Sequence, residues 1–367
     1  MKIFLISTLF LGMTFTSPAD DLTVWIGTGG KGSEGIYRTV LNTGNGKLSP
    51  VSLALEIGSP GFLCISPDGK RIYSVCNVDK GSVAAFEISD DGKSLELINT
   101  VPTGDSGAAH ISLDATGKIL FSAQYGGGSV AAYAINGDGS IGKQTALIEH
   151  EGSGPNERRQ SKPHPHWTGV DPGNNFLFVP DLGADKVFIY KLDHKNQSII
   201  SHGAGTAVPG GGPRHMKFSS DAKFAYLLNE LLLSVTAFQY DKTAGTMNSI
   251  QTISTLPKEL HEVACSASEI RVHPSGKFIY TGNRGHDSIA AFSVDQKTGK
   301  LTFIEREAIR GSWPRNFNID PTGKFLIAAG GRSNTLSVFE IDQETGGLVY
   351  TGNIVNCPAP ICVEFGK

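Results

Sequence analysis

The chain repeats itself with a period of roughly 50 residues, and that spacing constrains its fold more than any other feature. One recurring element is a Pro/Asp/Gly turn between two short apolar runs. It reads Ser66-Pro-Asp-Gly-Lys, Asp114-Ala-Thr-Gly-Lys, His273-Pro-Ser-Gly-Lys and Asp320-Pro-Thr-Gly-Lys, with weaker copies at Asp171 and Ser220. Such a turn joins two antiparallel strands into a hairpin. A second element follows each turn, as in Gly81-Ser-Val-Ala-Ala-Phe, Gly128-Ser-Val-Ala-Ala-Tyr and Asp287-Ser-Ile-Ala-Ala-Phe. Its aromatic residue falls at Phe86, Tyr133, Tyr190, Phe238, Phe292 and Phe339, and Thr39 takes the equivalent place before them. The steps between the six aromatics are 47, 57, 48, 54 and 47 residues.

Seven copies of a unit with four short strands describe a β-propeller blade. The composition agrees: 45 of 367 residues are Gly, too many for the interiors of long helices. The stretch from Asp20 to Thr39 and the stretch from Phe339 to Lys367 together make up one more period. The expected fold is therefore all-β, a seven-bladed propeller of four-stranded antiparallel blades. A strand near Ile361 to Phe365 should complete the blade that Leu22 to Ile26 begins. An open array would leave that half-blade with an unpaired edge.

Two domains of very different kind are expected. Residues 1–19 hold Met1-Lys2, an apolar run from Ile3 to Phe15, and small residues at Ser17-Pro18-Ala19. This is the pattern of a cleaved signal peptide, and it predicts a periplasmic or secreted protein. Residues 20–367 form the propeller and hold no apolar run of membrane-spanning length. A net charge of −3 offers no broad basic field for nucleic acid. The expected partner is a small molecule, and the ring is expected to act as a monomer. Among the five Cys, Cys357 and Cys362 flank Pro-Ala-Pro and are spaced to close a small loop, as a disulfide or as two thiols.

The polar residues sort by blade geometry. Let A to D be the strands of a blade from the axis outward, with A and B joined by the Asp-Gly-Lys hairpin. The ends of B and the starts of A then share the opposite rim. Strand-B ends carry Asn77, Gln124-Tyr125, Asp181, Asn229-Glu230, Asn283-Arg284 and Gly330-Gly331. Strand-A starts carry His110, His164 and His166, Arg214-His215, Glu269 and Arg315-Asn316. The two long steps come from insertions at residues 149–167, which contain Arg159, and 257–269. Both stand over this rim and should narrow it into a pocket.

A cluster of His, Glu and Arg with no Gly-x-Ser-x-Gly elbow suits general acid–base chemistry. Ester or lactone hydrolysis needs a base for water, cationic donors for the oxyanion and an acid for the leaving alkoxide. Glu230 or a His is the candidate base, and Arg214 and Arg284 are the candidate anion ligands. His110, Tyr125, Arg159, Asp181, His215, Asn283, Arg315 and Asn316 are the candidate substrate-binding residues. The pair His164 and His166 has a spacing a metal could use, but no third ligand stands nearby in the sequence, so no metal is expected.

Several of these motifs occur together in one known family. Gln124-Tyr-Gly-Gly-Gly-Ser-Val, Pro163-His-Pro-His166, Val179-Pro-Asp-Leu-Gly, Gly212-Pro-Arg-His215, Leu228-Asn-Glu230 and Asn283-Arg-Gly-His-Asp-Ser288 resemble the seven-bladed lactonase family. That family includes the propeller-type 6-phosphogluconolactonases and the fungal carboxymuconate lactonizing enzymes. The resemblance implies a lactone-directed enzyme without metal or cofactor. It implies a catalytic set of one His, one Glu and two Arg, which falls on His164 or His166, Glu230, Arg214 and Arg284. Hydrolysis of a sugar lactone is the leading expectation. A muconate-type cycloisomerase and a non-catalytic binding propeller are the alternatives. Arg332, after Gly330-Gly331, stands where the family more often carries a polar amide.

Overall fold

The computed structural model describes residues 21–76, 81–261 and 264–366. The expected signal peptide and Asn77 lie outside the described residues. Six antiparallel four-stranded sheets follow one another along the chain, from the strand Leu63–Ile65 to the strand Leu348–Asn356. The seventh joins the strand Pro360–Phe365 to Asp21–Thr28, with Val24 opposite Phe365 and Ile26 opposite Val363. This is the expected seven-bladed ring, closed by strands from both ends of the described chain.

The closing blade departs from the four-strand rule. Its outer strand comes in two pieces, Lys47–Leu48 and Ser52–Glu56, both paired with Gly35–Asn42. Pro50 lies between them and has no N–H to continue the ladder. Ser49 bridges the break, because its hydroxyl accepts from the Val40 N–H at 2.9 Å.

Turn chemistry explains the hairpins. In the turn led by Asp114, one carboxylate oxygen accepts from the N–H groups of Lys118 and Ile119, at 2.7 and 2.9 Å. Asp171 does the same for Asn175 and Phe176 at 2.7 and 2.8 Å. Gly69, Gly117, Gly276 and Gly323 of these turns all have positive φ, which any side chain would resist.

The periodic aromatics form the core between blades. Phe86, Tyr133, Phe292 and Phe339 are fully buried. Each sits where the pairing of strand C with strand D slips, by one residue at Phe86, Tyr133 and Phe292 and by two at Phe339. A bulge at that point adds twist, which lets flat sheets stack around an axis. The apolar cluster that contains Phe278, Tyr280, Leu326 and Phe339 spans two neighbouring blades. Tyr73 and Tyr280 cross between blades in the same way, donating to the carbonyls of Gly139 and Gly346 at 2.9 and 2.8 Å. No disulfide joins Cys357 to Cys362; both are buried thiols.

Candidate active site

A second set of bulges builds the site. At the start of strand A the pairing with strand B shifts by one residue in several blades. Arg214 is the extra residue between the pairs Pro213–Asn229 and His215–Leu228. Arg315 is the extra residue between Pro314–Gly330 and Asn316–Ala329. Ala109 takes the same place between Ala108–Gln124 and His110–Ala123. A bulged residue leaves the ladder and its side chain is re-aimed. Strand B supplies a matching position, the residue after the last pair with strand C. Here stand Tyr125, Glu230 and Arg284, each following a buried amide residue, Gln124, Asn229 or Asn283.

These positions converge on one cavity of about 420 Å³, lined by Gly107, Ala108, Ala109, Tyr125, Arg159, His166, Glu230, Arg284, Trp313 and Arg315. A larger groove of about 730 Å³ lies among the hairpin turns near Phe224 and Tyr240. It is bordered by hairpin-turn residues such as Asp221, Lys223 and Asp241, and it gathers no comparable set of reactive groups.

Glu230 is the centre of the cavity. Its Oε2 accepts from Arg214 Nε at 2.8 Å, and its Oε1 meets Arg159 at 2.9 Å and Arg284 at 3.1 Å. Burial alone would raise its pKa, but Arg284 and Arg214, then His166 and Arg159, hold it well below the usual carboxylate range. Glu230 is thus an ionised clasp and a weak base. Arg159 also donates to the Tyr125 hydroxyl at 3.2 Å. The insertion that carries it is pinned by Gln160, whose amide donates to the Leu182 carbonyl and Asp185 at 2.9 and 2.8 Å.

The two histidines of the Pro-His-Pro-His motif part company. His164 turns Nδ1 to the Tyr125 carbonyl at 2.7 Å and stacks on the Tyr125 ring. It is outside the cavity lining. His166 lines the cavity, and its Nδ1 is buried with no hydrogen-bond partner among the described residues. Burial, Arg214 and His215 push its pKa well below the ordinary value, so its imidazole is neutral at neutral pH. Among the described residues no cluster of three His, Cys, Asp or Glu side chains could hold a metal.

Other expected ligands do not line the cavity. Asp181 is fully buried; it accepts from the N–H groups of His164 and Ala184 and pairs with His150 at 2.7 Å. It clamps both ends of the insertion and does not face the cavity. Asn283 is fully buried and bonded to Thr255 and Ser288. His110, His215 and Asn316 form a buried belt beneath the cavity together with Glu269. His215 meets Glu269 at 3.0 Å, Asn316 donates to Glu269, and the rings of His110 and His215 lie 5.4 Å apart. Each is one residue out of phase with the groups that reach the cavity. Arg214 itself lies fully buried behind Glu230.

Trp313 was not anticipated. It comes from a motif, Trp313-Pro-Arg315, that copies Gly212-Pro-Arg214 of another blade. Aligning those two tripeptides is the signal that would have found it.

The belt and the cavity predict acid sensitivity. His110 and His166 are 6% and 4% exposed, and burial, reinforced by charged neighbours, holds both neutral in the fold. In the unfolded chain each would take up a proton below about pH 6.5. Their depressed pKa therefore costs stability as pH falls through that value, about 1.4 kcal/mol per pH unit for each. Urea denaturation at pH 6.5 and 5.5 should differ by about 2–3 kcal/mol, less stable at the lower pH. Equal midpoints would contradict the assignment.

A propeller whose rim gathers arginines, a clasped Glu and a neutral His is defined by its matches as well as its geometry. Residues 23–365 match the family described as lactonase, 7-bladed beta-propeller, and the chain belongs to that family. With the relatives below, that places this protein among lactone-hydrolysing enzymes, a class of carboxylic ester hydrolase. The chain is 38% identical over 343 residues to the 6-phosphogluconolactonase of Bacillus subtilis (strain 168), covering 93% of this chain and 97% of that one. It is 34% identical over 298 residues to the 6-phosphogluconolactonase of Formosa agariphila, covering 79% and 83%. The solved periplasmic gluconolactonase of Pseudomonas aeruginosa superposes with a TM-score of 0.89 at 29% identity, over 95% of this chain and 99% of that one.

Proposed function

We propose that this protein opens a gluconolactone-type sugar lactone with water, using His166 as general base and the arginines around Glu230 as electrostatic catalysts. The carrying observation is the pairing of a neutral buried His166 with a carboxylate already neutralised by Arg159, Arg214 and Arg284. His166 takes a proton as water attacks the lactone carbonyl carbon. The tetrahedral oxyanion forms against the guanidinium groups at the cavity wall. Collapse breaks the bond to the ring oxygen, and the imidazolium returns its proton to the departing alkoxide. The product is the open hydroxy acid. Glu230 keeps the arginines in place, and takes no proton itself.

Both kinds of relative support the sugar-lactone reading, one set named for a phosphorylated lactone and one for gluconolactone. The apolar segment of residues 3–15 supports a periplasmic or secreted site of action. The test is a lactone panel in pH-stat titration: gluconolactone with and without a 6-phosphate, spontaneous opening subtracted, with and without chelator. Turnover of at least one, undiminished by chelator, is the expected result. No turnover of either would sink the proposal, and conversion of a carboxymuconate instead would replace it with the cycloisomerase reading.

A further inference from the structure

We infer that Arg315 is the residue by which this cavity selects lactones bearing an anionic substituent. The inference rests on the hydrolase reading above and deepens it. Three of the four guanidinium groups are engaged. Arg159 and Arg214 bind Glu230, and Arg284 binds Glu230 and the Ala267 carbonyl at 2.8 Å. Arg315 lines the same cavity, and among the described residues its side chain makes no ion pair or hydrogen bond. Burial and Arg284 lower its pKa to about 10, so it remains a cation at neutral pH. Four cations thus gather about Glu230, and Arg315 is the one that does not touch it. A neutral ligand that displaced water from this wall would leave the Arg315 guanidinium with no hydrogen-bonding partner, offset by Glu230 and Glu269 beyond contact distance, which is costly. An oxyanion would supply two acceptors matched to the guanidinium fork.

The wall that presents Arg315 is built against local preference. Gly107 and Gly212 precede the inner strands of two blades with φ of +67° and +66°. Trp313 takes the same place with φ of +64°, directly before Pro314. A bulky residue in the left-handed region costs about 1–3 kcal/mol, and such strain persists only where the surroundings enforce it. Here the Trp313 N–H donates to Asp287 at 2.7 Å and its carbonyl accepts from the Gly331 N–H at 3.0 Å. The Arg332 guanidinium lies 3.4 Å from the centre of the indole ring, and that of Arg284 lies 5.5 Å from it. Trp313 thereby stands in the cavity wall beside Arg315, with the Arg332 and Arg284 guanidinium groups against its indole. An anion carried on a ring, as phosphate monoester or carboxylate, would meet Arg315 at this wall.

The experiment compares wild type, Arg315→Gln and Arg315→Lys on 6-phosphogluconolactone, a glucarolactone and gluconolactone, and measures inorganic phosphate binding by calorimetry. The Gln variant should lose about 10- to 100-fold in kcat/KM for an anionic lactone relative to gluconolactone, mainly through KM. The Lys variant should recover part of that loss, and phosphate binding should weaken in parallel. Which anionic lactone suffers the larger loss identifies the substituent as phosphate or carboxylate. Equal losses on all three lactones with phosphate binding intact would overturn the inference and place Arg315 in the general machinery. Wild type that opens lactones without preference and binds no phosphate would also overturn it, leaving the hydrolase reading standing. Arg315-dependent phosphate binding without turnover of any lactone would uphold the subsite and sink the hydrolase reading.

Discussion

His166→Asn is expected to lower kcat on a sugar lactone by about 10²- to 10⁴-fold, the usual contribution of a positioned general base. KM should change far less, because the arginine wall is left in place. The acid limb of the wild-type pH profile should fall below the pH 6.5 region typical of a solvated His. The sign follows from its environment: burial and Arg214 disfavour the imidazolium, so acid must go further before it silences the base. His164→Asn provides the contrast. That ring is occupied with Tyr125, so its loss should perturb the loop rather than remove the base. Near-normal kcat in His166→Asn would sink the assignment, and a collapse confined to His164→Asn would transfer it to the neighbour.

Glu230→Gln should be the most damaging single change to the fold as well as to catalysis. The carboxylate is 3% exposed and touches three guanidinium groups, one of them fully buried. An amide of the same size keeps the shape and removes the one charge among the described residues that offsets them at contact distance. Breaking a buried pair in this way typically costs about 3–5 kcal/mol. Denaturant midpoints of the wild type and the variant measure it directly. High concentrations of phosphate or sulfate should restore part of the lost stability, since an anion can enter the cavity and take the place of the carboxylate. A fully stable Gln variant would mean that the arginines are held by something other than Glu230.

The sequence carried the ring plainly and the site only in part. Hairpin chemistry is local: an Asp or Ser leading Gly-Lys writes its own turn, and it does so blade after blade. Counting from Phe86 to Phe339 therefore yields the blade number, and the remainder yields the closure. The rim was legible because strand ends are fixed by those same turns. What could not be read was phase within the rim. Side chains alternate across a strand, so a slip of one residue exchanges a ligand for a brace. The bulges at Arg214 and Arg315 make that slip, and nothing in apolar periodicity announces them. Arg214-His215, Asn283-Arg284 and Arg315-Asn316 each named a pair of which only one member belongs to the cavity or its clasp. Trp313 escaped for a different reason. Its place in the repeat is one that glycine fills elsewhere, and an aromatic there is unexpected on propensity alone.

The closing blade has a consequence for the order in which the molecule can be made. Val24 is among the first residues of the ring to be synthesised and its partner Phe365 among the last. Six blades can form in sequence as the chain lengthens, each from local hairpins. The opening strand must wait for all of them with its inner edge bare. Assembly of the ring is therefore a terminal event with a long-range contact at its end, a step that topology makes slow. Until it happens, the edge of Asp21–Thr28 is a template for any extended chain that passes.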